Sequence, residues 1–178
     1  MTTGTTDIED VAASLAAGSK HRAHGPYRME VGDAELAFRP VRIDDPVPTG
    51  RQILDAAGIR QVEEHLLFLV LSNGELEELR LDETADLRGG GVERFLIFAS
   101  AESYRIELDR KVFEWGACAI SGRVLKRLAG VDPATYGVWL EVRGGEDQPV
   151  GDSELVRLDG KGLERFFTGI TQTTEGAA

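Results

Sequence analysis

The ten residues Thr49-Gly50-Arg51-Gln52-Ile53-Leu54-Asp55-Ala56-Ala57-Gly58 return in altered form as Ser121-Gly122-Arg123-Val124-Leu125-Lys126-Arg127-Leu128-Ala129-Gly130. Each stretch opens on a hydroxyl residue, whose oxygen accepts from the free N–H groups of a helix start. Each closes on a glycine, where a left-handed residue ends a helix. Ile53, Leu54 and Ala57 in the first, and Val124, Leu125 and Leu128 in the second, fall on one helical face. Two short helices are predicted, each with an apolar face that must pack on a sheet.

The flanks read as strands. Before the second helix, Tyr104, Ile106 and Leu108 alternate with Arg105, Glu107 and Asp109, the pattern of a strand with one buried face. The charged turn Asp109-Arg110-Lys111 leads into Val112-Phe113-Glu114-Trp115, which completes a hairpin. Before the first helix, Tyr27 to Val31, the turn Gly32-Asp33 and Ala34 to Phe38 give the same hairpin. After the helices come the nearly continuous apolar runs His65 to Leu71 and Tyr136 to Val142, which read as central strands. Ser72-Asn73-Gly74 signals a tight turn. A short strand at Glu78 to Leu81 is paired with one at Glu154 to Leu158, and the last strands are Arg94 to Phe98 and Arg165 to Thr168.

Three pairs of segments therefore match in the same order. Tyr27-Arg28-Met29-Glu30 matches Tyr104-Arg105-Ile106-Glu107, the two helices match each other, and Gly91-Val92-Glu93-Arg94-Phe95 matches Gly162-Leu163-Glu164-Arg165-Phe166. Their spacings of 77, 72 and 71 residues differ only as insertions in loops would make them differ. The expected organisation is a disordered segment at residues 1–25, a first domain at 26–98, a linker at 99–103, a second domain at 104–169 and a flexible tail at 170–178. Within the first segment, Ile8 to Ala17 carries one apolar helical face through Ile8, Val11, Ala12 and Leu15. A hairpin, one helix and returning strands form an α+β unit with the layout of a β-grasp, here twice in tandem.

Composition narrows the function. The chain has 31 acidic against 20 basic residues and a net charge of −11, a sign that repels phosphate backbones and anionic lipid. Its longest apolar run, Leu66 to Leu71, falls far short of a bilayer span, and Met1 to Lys20 lacks the basic start and apolar core of a signal peptide. One cysteine, Cys118, excludes an internal disulfide and a thiolate-rich zinc site. A cytoplasmic protein with no cofactor or metal is expected. The acidic excess is uneven: acids outnumber bases 15 to 8 between Tyr27 and Phe98, but only 11 to 10 between Tyr104 and Gly169.

The tandem layout resembles the ubiquitin superfold. The Thr-Gly-Arg helix start, the Ala-Gly helix end and the Glu-Arg-Phe last strand resemble, more specifically, the bacterial multi-ubiquitin-domain proteins, over Tyr27 to the C-terminus. Those are tandem ubiquitin-like modifiers encoded beside activating-enzyme, conjugating-enzyme and processing-peptidase genes. The resemblance implies a modifier that is a substrate of these enzymes rather than an enzyme itself. Its implied partners are an activating enzyme, a conjugating enzyme, a processing peptidase and a target protein. It further implies a role in bacterial defence against phage.

The implied reactive site is the tail. Thr173-Thr174-Glu175-Gly176 resembles the tail of that family, and Ala177-Ala178 looks like a short extension that a peptidase removes. Cleavage between Gly176 and Ala177 leaves Gly176 as the reactive carboxylate, with Thr173, Thr174 and Glu175 as recognition residues. A glycine suits a tail that must thread a narrow channel, because it lacks a Cβ. Ubiquitin itself ends in two glycines, so a single glycine after Glu175 calls for a dedicated activating enzyme. Leu87-Arg88-Gly89-Gly90 matches the ubiquitin ending letter for letter, yet it precedes the apolar strand ending at Phe98 and reads as a turn into that strand.

The remaining reactive side chains read as structural. His21 and His24 have no carboxylate or thiol nearby in sequence, His65 flanks a strand start, and Cys118 lies in the loop before the second helix. Gly89-Gly90-Gly91 lacks the Lys-Ser/Thr of a phosphate loop. Two rival functions fit the same layout. One is a docking module whose sheet surfaces bind a partner and whose tail is dispensable. The other is a sulfur carrier, a class of single domains ending bluntly in two glycines.

Overall fold

The computed structural model describes residues 9–10, 26–88, 94–159 and 162–171. The chain divides between Ala101 and Glu102 into two compact units, each a β-grasp domain.

In repeat one, β2 (Tyr27–Gly32) and β3 (Arg39–Ile43) form an antiparallel hairpin, followed by α1 (Gly50–Ala56), β4 (Leu66–Val70), β5 (Leu76–Glu78) and β6 (Arg94–Phe98). The strands lie in the order β3-β2-β6-β4-β5, with β6 parallel to β2 and antiparallel to β4. Repeat two has β7 (Tyr104–Leu108), β8 (Lys111–Trp115), β9 (Ala119–Ser121), α2 (Gly122–Ala129), β10 (Tyr136–Leu140), β11 (Gln148–Val150), β12 (Leu155–Arg157) and β13 (Glu164–Ile170). Its main sheet runs β8-β7-β13-β10-β11, the same order, with β13 parallel to β7. The last strand of each repeat thus sits at the centre of its sheet.

The helix ends follow their sequence. Thr49 accepts from the Gln52 amide while the Gln52 side chain accepts from the Thr49 amide, a reciprocal capping box. Ser121 accepts from Val124 at 3.3 Å. Gly58 and Gly130 both take left-handed backbone just beyond the helices. On the helix side of the first sheet, Tyr27, Met29, Val31, Ile53, Leu54, Leu67, Leu69 and Phe95 form one core. Ile106, Leu108, Phe113, Trp115, Val124, Leu125, Val138 and Phe166 are buried in repeat two. Burying such side chains contributes roughly 1.5–3 kcal/mol each before the entropy of ordering is subtracted.

Four expectations are corrected. The partner of Tyr27 to Val31 is not Ala34 to Phe38 but Arg39–Ile43. The Asp33 carboxylate accepts from the Glu35 and Ala37 amides, and Leu36 turns to φ 56°, so these residues form a loop instead of a strand. The strand near Glu78 lies at Leu76–Glu78 and is the counterpart of β11, not of Glu154 to Leu158. The latter corresponds to Glu83 to Leu87, since Glu83 and Glu154 accept from Arg80 and Gly151 in the same way and Leu87 and Leu158 are both buried. The last strand of repeat two runs beyond Thr168 to Ile170. Finally, two residues of the segment expected to be disordered form β1 (Glu9–Asp10), parallel to Tyr27 and Arg28. On that edge of β2, β6 pairs only with Glu30 to Gly32, which leaves the first half of the strand open to β1. The rest of residues 1–25, including the helix expected over Ile8 to Ala17, lies outside the described residues.

Candidate functional site

Thr173, Thr174, Glu175, Gly176, Ala177 and Ala178 lie outside the described residues. The structure does describe the root from which they continue, and that root is anchored twice.

The first anchor is the β7–β8 turn. Asp109 and Arg110 take φ of 49° and 69°, the left-handed pair of a two-residue hairpin turn. This turn aims the Asp109 carboxylate at β13, where it accepts from the Thr168 amide and the Thr168 hydroxyl, both at 2.8 Å. The Asp109 amide donates to the Phe166 carbonyl in return. The second anchor is Thr135, whose carbonyl accepts from the Thr171 amide at 2.9 Å and the Thr171 hydroxyl at 3.0 Å. Asp132 holds Thr135 in place by accepting from its hydroxyl and from the Ala134 amide. The chain is therefore fixed as far as Thr171, two residues beyond the expected domain end. From Thr171 to Gly176 is five residues, a reach of at most ~18 Å.

Beside this root lies the face of the sheet opposite the helix. Trp139 and Phe167, paired across β10 and β13, stack with ring centroids 5.6 Å apart and planes inclined by 11°. Gly137 and Gly169 flank the Trp139 ring. A Cβ on Gly137 would lie 2.7 Å from the ring and one on Gly169 3.1 Å. Their lack of side chains is what lets the indole lie across the strands. Phe167 remains 36% exposed and Ile170 71%. The same face of repeat one carries Leu66, Phe68, Leu96 and Phe98, of which the last three are buried.

The other sequence candidates separate cleanly. Leu87 is buried, its amide donating to the Pro46 carbonyl, as that of Leu158 does to Cys118. The chain after it enters β6, the central strand of the first sheet, so Leu87 and Arg88 lead into the core of repeat one. Gly89, Gly90 and Gly91 lie outside the described residues. His65 Nδ1 sits 2.8 Å from the Gln61 carbonyl at the end of a short 3-10 turn. Cys118 is exposed. His21 and His24 lie outside the described residues, among which no three His, Cys, Asp or Glu side chains are grouped to hold a metal. At the far end of β13 a shallow pocket of about 280 Å³ is lined by Leu140, Val142, Arg143, Leu163 and Arg165 with Glu141 and Glu164, and it contains no nucleophile. Among the described residues no helix is long and apolar enough to cross a membrane.

Two exposed ion pairs shift proton affinities in repeat one. Hydrogen bonding from Arg51 holds the Glu63 carboxyl below its ordinary range, and Arg88 does the same for Asp86. The Arg51–Glu63 pair joins α1 to the 3-10 turn before β4, and the Arg88–Asp86 pair closes within two residues. Sequence reasoning missed the two anchors and the Trp139–Phe167 pair. The left-handed turn at Asp109-Arg110 was visible as a charged turn, but its contact with Thr168 spans 59 positions.

The family model described as Multiubiquitin matches the chain twice, over residues 34–100 and 104–171. The two matches cover one repeat each. No curated protein matches the chain.

Proposed function

The chain belongs to the Multiubiquitin family, and from that footing we propose that it is a conjugated protein modifier. A processing peptidase cuts after Gly176. An activating enzyme then joins the freed carboxylate to the α-phosphate of a nucleoside triphosphate as pyrophosphate leaves, a carrier side chain displaces the nucleoside monophosphate, and an amine or hydroxyl of a target protein displaces the carrier. The chain itself is the substrate at every step and catalyses none of them. The resemblance to the bacterial proteins supports an operon-encoded enzyme set, a cytoplasmic setting and a role in defence against phage.

The observation that carries this reading is the anchored root. A tail that must reach into an enzyme needs a fixed origin and a bounded length, so that its end is presented at a defined place. Asp109 and Thr135 supply the origin, and the five residues to Gly176 supply the length. Replacing Gly176 with valine would put a branched Cβ against the nucleotide phosphate during activation.

The test is intact mass and conjugate formation on co-expression with the neighbouring enzymes. Loss of Ala177-Ala178 and appearance of higher-mass conjugates are expected. Gly176→Val should fold normally and form none, and a chain lacking Ala177-Ala178 should conjugate without the peptidase. Normal conjugation by Gly176→Val would move the reactive residue elsewhere.

A second reading, a docking module, is favoured by one observation: the open Trp139–Phe167 face. Under that reading a chain ending at Thr171 keeps its partner, and Trp139→Ala loses it.

A further inference from the structure

We infer that Lys126 and Asp152 are a positioning pair, which from within repeat two holds the turn on which the root of the tail is fixed. The inference rests on the modifier reading above and names residues that set where the reactive end is presented.

The two repeats supply the comparison. Beyond α2 the Val131 amide donates to the Lys126 carbonyl, as beyond α1 the Ile59 amide donates to that of Leu54. The Arg123 amide donates to the Asp152 carbonyl at 3.1 Å, as the Arg51 amide does to that of Leu81. Lys126 therefore stands where repeat one has Leu54, and Asp152 where it has Leu81. Leu54 lies in the apolar core of repeat one and Leu81 packs against that core. Repeat two has an ion pair instead, with Lys126 Nζ 2.7 Å from the Asp152 carboxylate. Lys126 is 7% exposed, and the Asp152 side chain 50%. Such a pair is a weak source of stability, because the desolvation of a buried ammonium offsets its attraction and apolar side chains of similar volume often serve as well. Repeat one shows that this fold accepts them.

The geometry gives the pair another role. Lysine carries three N–H donors, and a second contact of Lys126 Nζ is the Pro133 carbonyl, at 3.1 Å. Pro133 belongs to the turn Asp132 to Thr135 between α2 and β10, which closes where the Thr135 and Tyr136 amides donate to the Asp132 carbonyl. Two residues on, the Thr135 carbonyl accepts from the Thr171 amide and hydroxyl. The ammonium thus holds the turn at one carbonyl, and the turn holds the tail root at another. In repeat one the 3-10 turn Val62–Glu64, at the same place in the chain, is held by the buried side chain of Val62.

The test gives repeat two the residues of repeat one, as Lys126→Leu with Asp152→Leu in the full chain. Thermal unfolding should begin no earlier than in the unaltered chain. Hydrogen exchange at the Thr171 amide should become about fivefold faster, the ratio that one typical net hydrogen bond represents, with the amides of Val138 and Phe166 unchanged. Asp132→Ala, which loosens the same turn from its exposed side, should give the same local pattern and serves if the double variant does not fold. With the processing peptidase and the activating enzyme, the KM for the chain should rise about twofold or more while kcat is kept, because fewer chains present the tail from a held root. Unchanged exchange at Thr171 overturns the inference, as does faster exchange throughout repeat two with earlier melting, which would make the pair a stabilising one. Faster exchange at Thr171 with an unchanged KM overturns its role in presenting the tail. An unaltered chain that no such enzyme processes or activates would count against the modifier reading instead, and the exchange measurement would still decide what Lys126 holds.

Discussion

Gly122→Ala separates the local preference of a helix from the packing of this fold. On propensity alone the change should help, because alanine is favoured over glycine in a helix by about 1 kcal/mol. The structure reverses the sign. Gly122 is the first residue of α2, and a Cβ there would lie 2.5 Å from the Gly151 carbonyl oxygen and 2.8 Å from that of Val150. Ordinary carbon–oxygen contact is about 3.3 Å, so the turn after β11 must retreat by most of an ångström. That turn also caps the helix, since Asp152 accepts from the Arg123 amide at 3.1 Å. Overpacking of this kind costs ~1–3 kcal/mol and a lost hydrogen bond ~1 kcal/mol. After the propensity gain, a net loss of ~1–3 kcal/mol is expected for repeat two, a fall in its melting temperature of ~5–20 °C for a domain of this size. Gly50→Ala should do at least as much to repeat one, because its Cβ would come closer still to the Arg80 carbonyl oxygen. The assay is thermal unfolding by circular dichroism. Gly58→Ala serves as the comparison: nothing lies within 4 Å, and only the left-handed backbone at φ 85° is strained, a cost of ~1–2 kcal/mol. A Gly122→Ala protein that melts at or above the unaltered temperature would refute the reasoning.

Asp109→Ala removes both bonds to Thr168; a loss of about 1 kcal/mol is expected for these exposed contacts, with faster hydrogen exchange at the Thr168 amide, and unchanged exchange would show that the anchor does not hold the strand. The Glu63 carboxyl titrates below its ordinary value of 4.5 because Arg51 donates to it. A depressed carboxyl contributes stability above that ordinary value and loses it as the pH falls through the folded pKa, so Arg51→Ala should return the Glu63 titration, followed by nuclear magnetic resonance, towards 4.5. A Glu63 titration identical in both proteins would place the cause elsewhere.

How much of this was legible in the sequence depends on how far each contact reaches along the chain. The helix caps were legible because their hydrogen bonds close within three residues, from Thr49 to Gln52 and from Ser121 to Val124. The inner strand at Leu66–Val70 was legible because it is apolar on both faces and lies between β5 and β6. The strand at Arg39–Ile43 was not, because Pro40 argues against a strand while Ala34 to Phe38 mimics an alternating one. The proline is tolerated where β3 borders only β2 and lies at the sheet edge. Gln148–Val150 hides behind Pro149 in the same way, as an edge strand beside β10. The repeated Gly50 and Gly122 could be seen but not explained, because what excludes a side chain there is a carbonyl about thirty residues on. The tail was read from its letters alone, whereas the anchors of its root, Asp109 and Thr135, become visible only when β13 is laid between β7 and β10.

The two repeats share their strand order and their helix-side core, and they differ on the opposite face of the sheet. Four matched positions on the opposite face show it. Leu66, Phe68, Leu96 and Phe98 in repeat one become Gly137, Trp139, Phe167 and Gly169 in repeat two, at a constant spacing of 71 residues. In the first, Phe68 and Phe98 meet edge to face at 5.6 Å and are buried. In the second, two side chains are deleted, the remaining two rings stack, and Phe167 stays partly open to solvent. Deleting side chains from a buried surface would leave cavities that cost several kcal/mol; on an open surface the same deletion exposes a flat aromatic area at little cost to the core. The open aromatic pair, the anchored tail root and both lysines of the described repeats all fall in repeat two, while repeat one carries most of the acidic excess. Exchanging the four residues of the repeat-two face for those of repeat one should leave its helix-side core intact while removing the Trp139–Phe167 stack.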